Sequence, residues 1–288
     1  MNYQDDFLEI RSRLFSLAYK MTKSVVDAED IVQETFLAVT SVKAGSVRDP
    51  AAYFARVVIH RCFKVLDQRK LTAYPGPDLP EPLQEDRPAE WSAGDLSYGI
   101  LLMLQRLKPM ERAVFILRES LEFDYGIIAK ILSVKADHCR QLLHRAKDKL
   151  HQSAPVSRTS QDQLAELMAV FLAAVSSGDS SPLIARLRED VTIYADGGGK
   201  RLAALKPVVG PMAVLKFMMG IYNKGAEGVS FLIARVNGEA AVLLHDLTTG
   251  LPETVMFFNI EETRLATIYM VRNPDKLKGI AKKATAAN

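Results

Sequence analysis

The stretch DYGIIAKILSVKADHCRQLLHRAKDKL, residues 124–150, decides the fold of the first half of the chain. Apolar residues recur at helical spacing on both sides of a short break at Ser133–Lys135, which predicts two helices joined by a tight turn. The first predicted helix buries Ile127, Ile128, Ile131 and Leu132, and the second buries Cys139, Leu142, Leu143, Ala146 and Leu150. Two helices joined by such a turn are typical of the helix-turn-helix motif.

The exposed face of the second predicted helix is polar and mostly basic. It carries the side chains of Lys135, Asp137, His138, Arg140, Gln141, His144, Arg145 and Lys147. An α-helix fits the major groove of DNA, where arginine can bond guanine and glutamine can bond adenine in bidentate fashion. Arg140 and Gln141 are therefore candidates for base contacts, and Lys147 is a candidate for a phosphate contact. From this stretch alone, a plain helical hairpin with a solvated basic face remains an alternative.

Helical patterns continue toward the N-terminus. Residues 6–41 predict two helices, and a third follows the start signal Asp49–Pro50. Helical periodicity returns at residues 96–107, and Pro109 opens the next helix. The first half of the chain is thus predicted to be all-helical.

Two stretches interrupt these patterns. Residues 71–95 are rich in proline and hold six acidic residues against one basic residue, which predicts an extended linker rather than a packed element. Residues 153–162 predict a second linker. From residue 163 one amphipathic helix precedes short strand-like runs, and Asn237–Gly238 indicates a hairpin. Helices packed on an antiparallel sheet would make residues 163–288 an α+β domain.

Composition narrows the class of protein. The chain has 288 residues and a net charge of +3, which suits two or three globular domains. Its two cysteines, Cys62 and Cys139, lie in apolar helical patterns and are expected to be buried thiols rather than a disulfide or zinc site. No apolar run reaches the roughly 18 residues of a membrane span, and the first residues lack a signal-peptide pattern. A cytoplasmic protein without a metal site is the expectation.

Two blocks in the first half resemble a known family. Residues 12–39 and 47–70, SRLFSLAYKMTKSVVDAEDIVQETFLAV and VRDPAAYFARVVIHRCFKVLDQRK, resemble region 2 of bacterial extracytoplasmic-function sigma factors. Residues 107–150 resemble region 4 of the same family. The resemblance implies region 2 over residues 1–70, a linker over 71–95 that threads the polymerase channel, region 4 over 96–152, and a linker over 153–162.

The resemblance also implies roles for individual residues. The candidates for binding core RNA polymerase are Asp27, Glu29, Asp30, Gln33 and Glu34. The candidates for binding the −10 promoter element are Arg56, His60, Arg61, Lys64, Arg69 and Lys70, and the polar face of residues 135–147 would read the −35 element. The family often has Asn in place of His60 and Asp in place of Lys64, so these two departures bear on the −10 preference.

The second half resembles the SnoaL-like domain that one subgroup of these sigma factors carries. Three short motifs support this resemblance: DLPEP (Asp78, Leu79, Pro80, Glu81, Pro82), DGGGK (Asp196, Gly197, Gly198, Gly199, Lys200) and NPDKL (Asn273, Pro274, Asp275, Lys276, Leu277). Asp78 stands where the subgroup has Trp. Taken singly, GGG is an ordinary glycine turn and NPDK an ordinary turn that opens a helix.

These features predict a multidomain protein with two all-α domains, sigma region 2 and a helix-turn-helix region 4, plus a C-terminal α+β SnoaL-like cone. The implied function is that of an alternative sigma factor that binds core RNA polymerase and promoter DNA. Its C-terminal domain would regulate it through the linker or the sigma domains, with or without a small ligand. No catalytic residue and no cofactor is implied.

Two alternatives remain open at this stage. One is a stand-alone DNA-binding regulator with a small-molecule-sensing SnoaL-like domain. The other is a SnoaL-like enzyme attached to a vestigial sigma module, which needs an acid or base and an oxyanion donor in a pocket. The acid/base candidates are His245, Asp246 and Asp196, and the donor candidates are Tyr194, Tyr222 and Tyr269. Neighbouring strand residues point to opposite faces of a sheet, so His245 and Asp246 are not expected to share a pocket.

Overall fold

The computed structural model describes residues 3–42, 46–69, 74–84, 96–151, 159–225 and 228–282. They divide into two compact units. The described residues before 70 and between 96 and 151 form the first, which we call the helical unit. The described residues 74–84 and 159–282 form the second, which we call the sheet unit.

Seven helices make up the described part of the helical unit. They are α1 (Tyr3–Thr22), α2 (Val25–Thr40), α3 (Pro50–Arg69), α4 (Tyr98–Gln105), α5 (Pro109–Glu119), α6 (Tyr125–Leu132) and α7 (Ala136–His151). Ser24 caps α2, because its side chain accepts a hydrogen bond from the backbone N–H of Asp27 at 3.2 Å. Pro109 opens α5 as predicted.

The core of the helical unit joins helices from both predicted sigma regions. The ring of Phe7 in α1 lies 5.3 Å from that of Phe36 in α2 and 5.4 Å from that of Phe54 in α3, centroid to centroid. The guanidinium of Arg112 in α5 is buried and donates to the carbonyl oxygen of Met21 in α1 at 2.6 Å. It also donates to the carbonyl of Leu104 at 2.9 Å, so one side chain links α1, α4 and α5.

A tight turn joins α6 and α7 at the predicted position. Ser133 ends α6 with a φ of 56°, in the left-handed region, which glycine adopts most easily. The apolar residues predicted for the second helix, Cys139, Leu142, Leu143, Ala146 and Leu150, are all buried. The helix-turn-helix predicted from the apolar spacing is therefore present.

The sheet unit packs helices against a six-stranded sheet. Its helices are α8 (Gln161–Ser177), α9 (Ser181–Ala185) and α10 (Pro211–Gly225), followed at the C-terminal end by a 3₁₀ helix (Pro274–Leu277). Its strands are β1 (Leu187–Asp196), β2 (Val208–Val209), β3 (Val229–Val236), β4 (Glu239–Asp246), β5 (Pro252–Glu261) and β6 (Arg264–Val271), in the order β2-β1-β6-β5-β4-β3.

The sheet differs from the antiparallel prediction at one pairing. The hairpin between β3 and β4 forms as predicted, with Asn237 and Gly238 at φ values of 53° and 73°. However, β1 and β6 pair in parallel, which a long crossover between two strands permits. The helix α10 lies in that crossover and was not predicted, because its sequence PMAVLKFMMGIYNKG is interrupted by Gly220 and is apolar on most sides.

Part of the predicted first linker is packed, contrary to the expectation. In residues 74–84, Leu79 and Leu83 are buried. The backbone N–H of Leu83 donates to the side chain of Asn237 at 2.9 Å, and the N–H of Asn237 donates back to the carbonyl of Leu83 at 2.7 Å. Prolines prevent this segment from folding on itself, but they leave its remaining N–H groups and apolar side chains free to bind a sheet. Residues 85–95 lie outside the described residues.

The second predicted linker is also shorter than expected. The sheet unit already includes Thr159, which is buried and accepts a hydrogen bond from the N–H of Ile260 at 3.2 Å. The helix α8 begins at Gln161 rather than at residue 163, and Ser160 is its N-cap. The capping box between Ser160 and Gln163 explains the earlier start.

Both cysteines are buried free thiols, and burial raises the pKa of Cys62 and of Cys139. They are therefore expected to be poor nucleophiles. Among the residues that the structure describes, no helix is both long enough and apolar enough to cross a membrane. Within the same residues, no group of three or more His, Cys, Asp or Glu side chains could hold a metal ion.

Candidate functional site

The polar face of α7, which we call the recognition face, is fully exposed. It consists of Lys135, Asp137, His138, Arg140, Gln141, His144, Arg145 and Lys147, and all eight side chains reach solvent. Some of them also contact one another or neighbouring helices. Arg140 pairs with Asp137, and Lys147 Nζ lies 2.9 Å from a carboxylate oxygen of Glu119 in α5.

A partly buried ion pair joins α7 to α5. Lys149 Nζ donates to Glu111 Oε2 at 2.6 Å and to Oε1 at 2.8 Å, and Glu111 is only 4% exposed. Burial opposes ionisation of this carboxyl, but the hydrogen bonds from Lys149 and from the backbone of Lys108 outweigh it and hold the pKa of Glu111 below its usual value. The pair therefore helps to hold α7, together with its buried apolar residues, in the orientation that exposes the recognition face.

Acid is expected to weaken the helical unit through this carboxyl. Because the pKa of Glu111 is lower in the folded chain, the unfolded chain binds the proton first, and stability is lost as the pH falls below about 4.3. Glu111→Gln should flatten this part of the pH dependence in urea titrations monitored by circular dichroism. Glu122→Gln, a change of the same kind at an exposed turn residue, should leave it intact. Equal slopes for both variants would contradict the assignment.

The predicted polymerase-binding residues divide into paired and exposed groups. Asp27 pairs with Arg69, and Glu34 pairs with Arg61, so both carboxylates contact α3. Glu29 is half-buried, whereas Asp30 and Gln33 are exposed.

Two apolar neighbours on α2 were not predicted. Val26 is 44% exposed and Leu37 is 61% exposed. Together with Asp30 and Gln33 they follow the spacing of one helix face, and we call these four residues the α2 stripe. Their helical spacing was visible in the sequence, but their exposure was not.

The predicted −10 residues lie along α3. Tyr53, Arg56, Val57, His60, Arg61 and Lys64 line a surface groove, and Arg56, His60 and Lys64 are exposed. Arg69 instead donates to the carbonyl of Thr22 at 2.7 Å and holds the end of α3 against the preceding helices. Lys70 lies outside the described residues.

In the sheet unit, the three predicted motifs meet at one place, which we call the motif junction. Asp196 is 1% exposed, and its Oδ2 accepts from the N–H of Leu79 at 3.0 Å and from Lys276 Nζ at 2.7 Å. Lys276 Nζ also donates to the carbonyl of Leu79 at 2.6 Å and to the carboxylate of Asp78. One lysine thus joins DLPEP, DGGGK and NPDKL.

The junction is largely closed to solvent. Leu79, Pro80, Glu81, Pro82, Asp196, Gly197 and Leu277 are buried; Gly198, Asn273, Asp275 and Lys276 are half-buried; and Asp78, Gly199, Lys200 and Pro274 are exposed. Lys200 pairs with Asp275, and this hydrogen bond holds the pKa of Asp275 below its usual value.

The glycines of DGGGK are required by their neighbours. A Cβ on Gly197 would lie 2.1 Å from the carbonyl oxygen of Arg201, and a Cβ on Gly198 would lie 2.2 Å from Nδ2 of Asn273. Gly198 also has a φ of 59°, which side chains disfavour. The two interpretations of these glycines, an ordinary turn and a motif of the subgroup, are therefore compatible. The glycines form a turn, and this turn packs against NPDKL.

Gly198→Ala is expected to destabilise the sheet unit by about 2 kcal/mol, from backbone strain and from displacement of Asn273. Guanidinium unfolding of the full chain measures the effect. Gly178→Ala is the control. Gly178 has a φ of 75° but open space where a Cβ would lie, so alanine there would add backbone strain without a steric clash. Equal losses for both variants would show that contact with Asn273 contributes nothing.

The candidates for catalysis do not converge. Nε2 of His245 lies 3.1 Å from the carbonyl oxygen of Ala281, and Asp196 belongs to the motif junction. Asp246 accepts hydrogen bonds from the N–H of Thr249 and of Thr248, and these hold its pKa below the usual value. The rings of Tyr194 and Tyr269 stack on each other, with centroids 5.6 Å apart.

A small apolar cavity lies between the helices and the sheet. Its volume is about 130 Å³, and its walls include Met168, Met218, Met256 and Met270. Tyr222 is the one titratable side chain among the described residues that line it. The cavity could accept a small neutral molecule, but His245, Asp246 and Asp196 do not line it.

Comparison with known proteins now defines the class of protein. The sequence model of Sigma-70 region 2 matches residues 7–72, and that of Sigma-70, region 4 matches residues 99–150. The helical unit therefore consists of the two regions of a sigma-70-type protein.

Similarity extends over nearly the whole chain. The chain is 30% identical to the ECF RNA polymerase sigma factor SigJ of Mycobacterium tuberculosis, over 95% of this chain and 93% of the relative. It is 27% identical to the probable ECF RNA polymerase sigma factor SigI of the same organism, over 93% and 92%. The crystal structure of M. tuberculosis SigJ matches with a TM-score of 0.74 and 28% identity, over 97% of this chain and 99% of that one. The chain belongs to the extracytoplasmic-function (ECF) family of RNA polymerase sigma factors.

Proposed function

We propose that this sigma factor binds core RNA polymerase through the α2 stripe and reads promoter DNA with α3 and the recognition face of α7, under the control of the motif junction. The observation that carries this proposal is the recognition face, where all eight predicted side chains are exposed while the apolar residues of α7 are buried. A helix with this division is ready to enter a DNA groove.

The α2 stripe is the surface we assign to polymerase. Its exposed apolar residues, Val26 and Leu37, flank the polar Asp30 and Gln33. Protein interfaces commonly combine an apolar centre with a polar rim. A carboxylate at Asp30 suits a basic partner helix, whereas Asp27 and Glu34 already bind arginines of α3. Asp30 should therefore matter more for binding than those two.

Asp30→Lys is expected to weaken binding of the full chain to core RNA polymerase by roughly tenfold, because a reversed charge opposes a basic partner. Competition with a primary sigma factor measures this affinity. Glu9→Lys is the matched control, since Glu9 is exposed on α1. Binding to DNA without polymerase should be equal for both variants. Unchanged polymerase affinity in Asp30→Lys would remove the α2 stripe from the proposal.

We assign promoter reading to two surfaces. Arg140 and Gln141 would contact base edges of the −35 element, and the groove on α3 would hold the −10 element through Arg56, His60 and Lys64. Cations at these positions also attract the phosphate backbone. Lys147 pairs with Glu119 at the surface, and a phosphate contact would replace this weak ion pair.

We assign the sheet unit a regulatory rather than a catalytic role. This is supported by the engagement of His245 with the backbone and of Asp196 with Lys276, since neither is directed at the apolar cavity. Regulation would act through residues 74–84, which connect the two sigma regions in the sequence and are bound by the motif junction. The protein would act in the cytoplasm, where the polymerase is.

A further inference from the structure

Two arginines from different helices lie over the ring of Tyr125, the first residue of α6. Cζ of Arg118 in α5 and Cζ of Arg140 in α7 each lie 5.1 Å from the centroid of its ring. Tyr125 is half-buried. The face of an aromatic ring is electronegative and attracts a guanidinium at this distance.

Two contacts restrain the Arg140 side chain. Its guanidinium lies over the ring of Tyr125, and it also pairs with Asp137 one helical turn earlier. An unrestrained arginine samples many rotamers, and binding must then immobilise it. Bidentate contact with guanine requires two N–H groups at a fixed angle and spacing, so an arginine held in advance binds more selectively.

Arg118 also connects Tyr125 to α5 through the residues just before α6. Its Nη1 donates to the carbonyl of Phe123 at 3.0 Å and lies 3.6 Å from a carboxylate oxygen of Asp124. The segment that leads into α6 is thereby tied to α5. The ring of Tyr125, held in this way, in turn limits the conformations that the Arg140 side chain adopts on the recognition face.

We propose that Tyr125 is a positioning residue that holds Arg140 for base recognition at one position of the −35 element. The proposal rests on the assignment of Arg140 to a base edge. Specificity at that promoter position would then depend on a side chain outside the recognition face.

A merely structural Tyr125 would behave differently. Loss of a packing contact between α5, α6 and α7 would lower stability and weaken binding to every DNA sequence alike. Loss of a positioning contact would reduce the preference at one base position and leave the other positions unchanged. Tyr125→Phe distinguishes the role of the ring from that of the hydroxyl, because it removes the hydroxyl and keeps the ring that both arginines contact.

The test uses polymerase holoenzyme formed with the full chain and a duplex DNA library randomised across the −35 and −10 regions, with enrichment read by sequencing. The variants are Tyr125→Leu, Tyr125→Phe, Arg140→Ala and the double variant Tyr125→Leu with Arg140→Ala, and the melting temperature of each is measured. All are prepared in the wild-type chain and in a chain that also carries Lys276→Met. That change removes the lysine that holds Leu79 in the motif junction, so it relieves any restraint that the junction places on promoter binding. Tyr125→Met is the second variant if Tyr125→Leu does not fold.

Arg140→Ala is expected to reduce the preference at one −35 position by roughly tenfold. Tyr125→Leu should reduce the same preference by roughly threefold, which is about half of the contact's free energy. Tyr125→Phe should retain it, and the double variant should be no worse there than Arg140→Ala.

The outcomes separate the two assignments. Suppose that Arg140→Ala loses its base preference at one position, but Tyr125→Leu either loses no preference or binds all sequences more weakly alike. That result would overturn the positioning role and leave the base contact of Arg140 standing. If Arg140→Ala alters no single position, or if neither background enriches any sequence, the base contact fails and the positioning role fails with it.

Discussion

Replacing Lys276 with methionine is expected to destabilise the sheet unit by about 3 kcal/mol and to release residues 74–84. Breaking a buried ion pair by removing one member costs roughly 3–5 kcal/mol, because the remaining charge is left in a poor solvent. The lower end applies here, since the Lys276 side chain is 18% exposed and Asp196 keeps its backbone donor from Gly198.

Two measurements on the full chain test this expectation. Guanidinium unfolding gives the loss in stability, and amide hydrogen exchange at Leu79 and Leu83 reports release of the segment, since both N–H groups bond to side chains of the sheet unit. Lys278→Met is the matched control, because Lys278 is 67% exposed and its ion pair with Asp275 lies at the surface. Protection at Leu79 equal to that of the control would show that Lys276 does not hold the segment.

The same variant tests the regulatory proposal. Adding Asp196→Asn to Lys276→Met removes the unpaired buried carboxylate of Asp196 and should recover part of the stability. If the motif junction restrains the sigma regions, promoter-directed transcription should rise in Lys276→Met relative to Lys278→Met. Released amides with unchanged transcription would leave the junction a structural contact and remove it from regulation.

Arg112→Met is expected to cost the helical unit about 3 kcal/mol. The guanidinium donates to carbonyls of Met21, Leu104 and Leu107, and a buried acceptor left without its donor costs roughly 1–3 kcal/mol. Burial lowers the pKa of Arg112 to about 10, which still leaves it charged and able to donate at neutral pH. Methionine fills a similar volume and supplies no donor.

Urea unfolding of the full chain measures this loss. Arg106→Met is the control, since Arg106 is exposed and its loss should change the free energy of unfolding by less than about 0.5 kcal/mol. Arg112→Lys should recover part of the loss, because one ammonium group cannot reach all three carbonyls. A loss in Arg112→Met no larger than in Arg106→Met would mean that these carbonyls find other donors.

The candidate polymerase-binding residues of α2 show how much could be predicted from the sequence alone. The resemblance to sigma factors implied that α2 binds polymerase, but it did not distinguish Asp30 from Asp27, which binds Arg69 of α3. Nor did it predict that Leu37 would be exposed. These distinctions depend on which helix packs against α2. The hydrogen bond between Asp27 and Arg69, for example, joins residues that are 42 positions apart in the sequence.

The sequence by itself determined the helix-turn-helix and the β3–β4 hairpin. In both cases a run of apolar spacing and a turn residue lie within a short window, Ser133 in one and Asn237–Gly238 in the other. Only the tertiary structure decided the parallel pairing of β1 with β6 and the contact of Lys276 with Leu79, 197 positions away. Local patterns fix local elements because the interactions are short in sequence. Charges and prolines far apart acquire partners only when the sheet has brought them together.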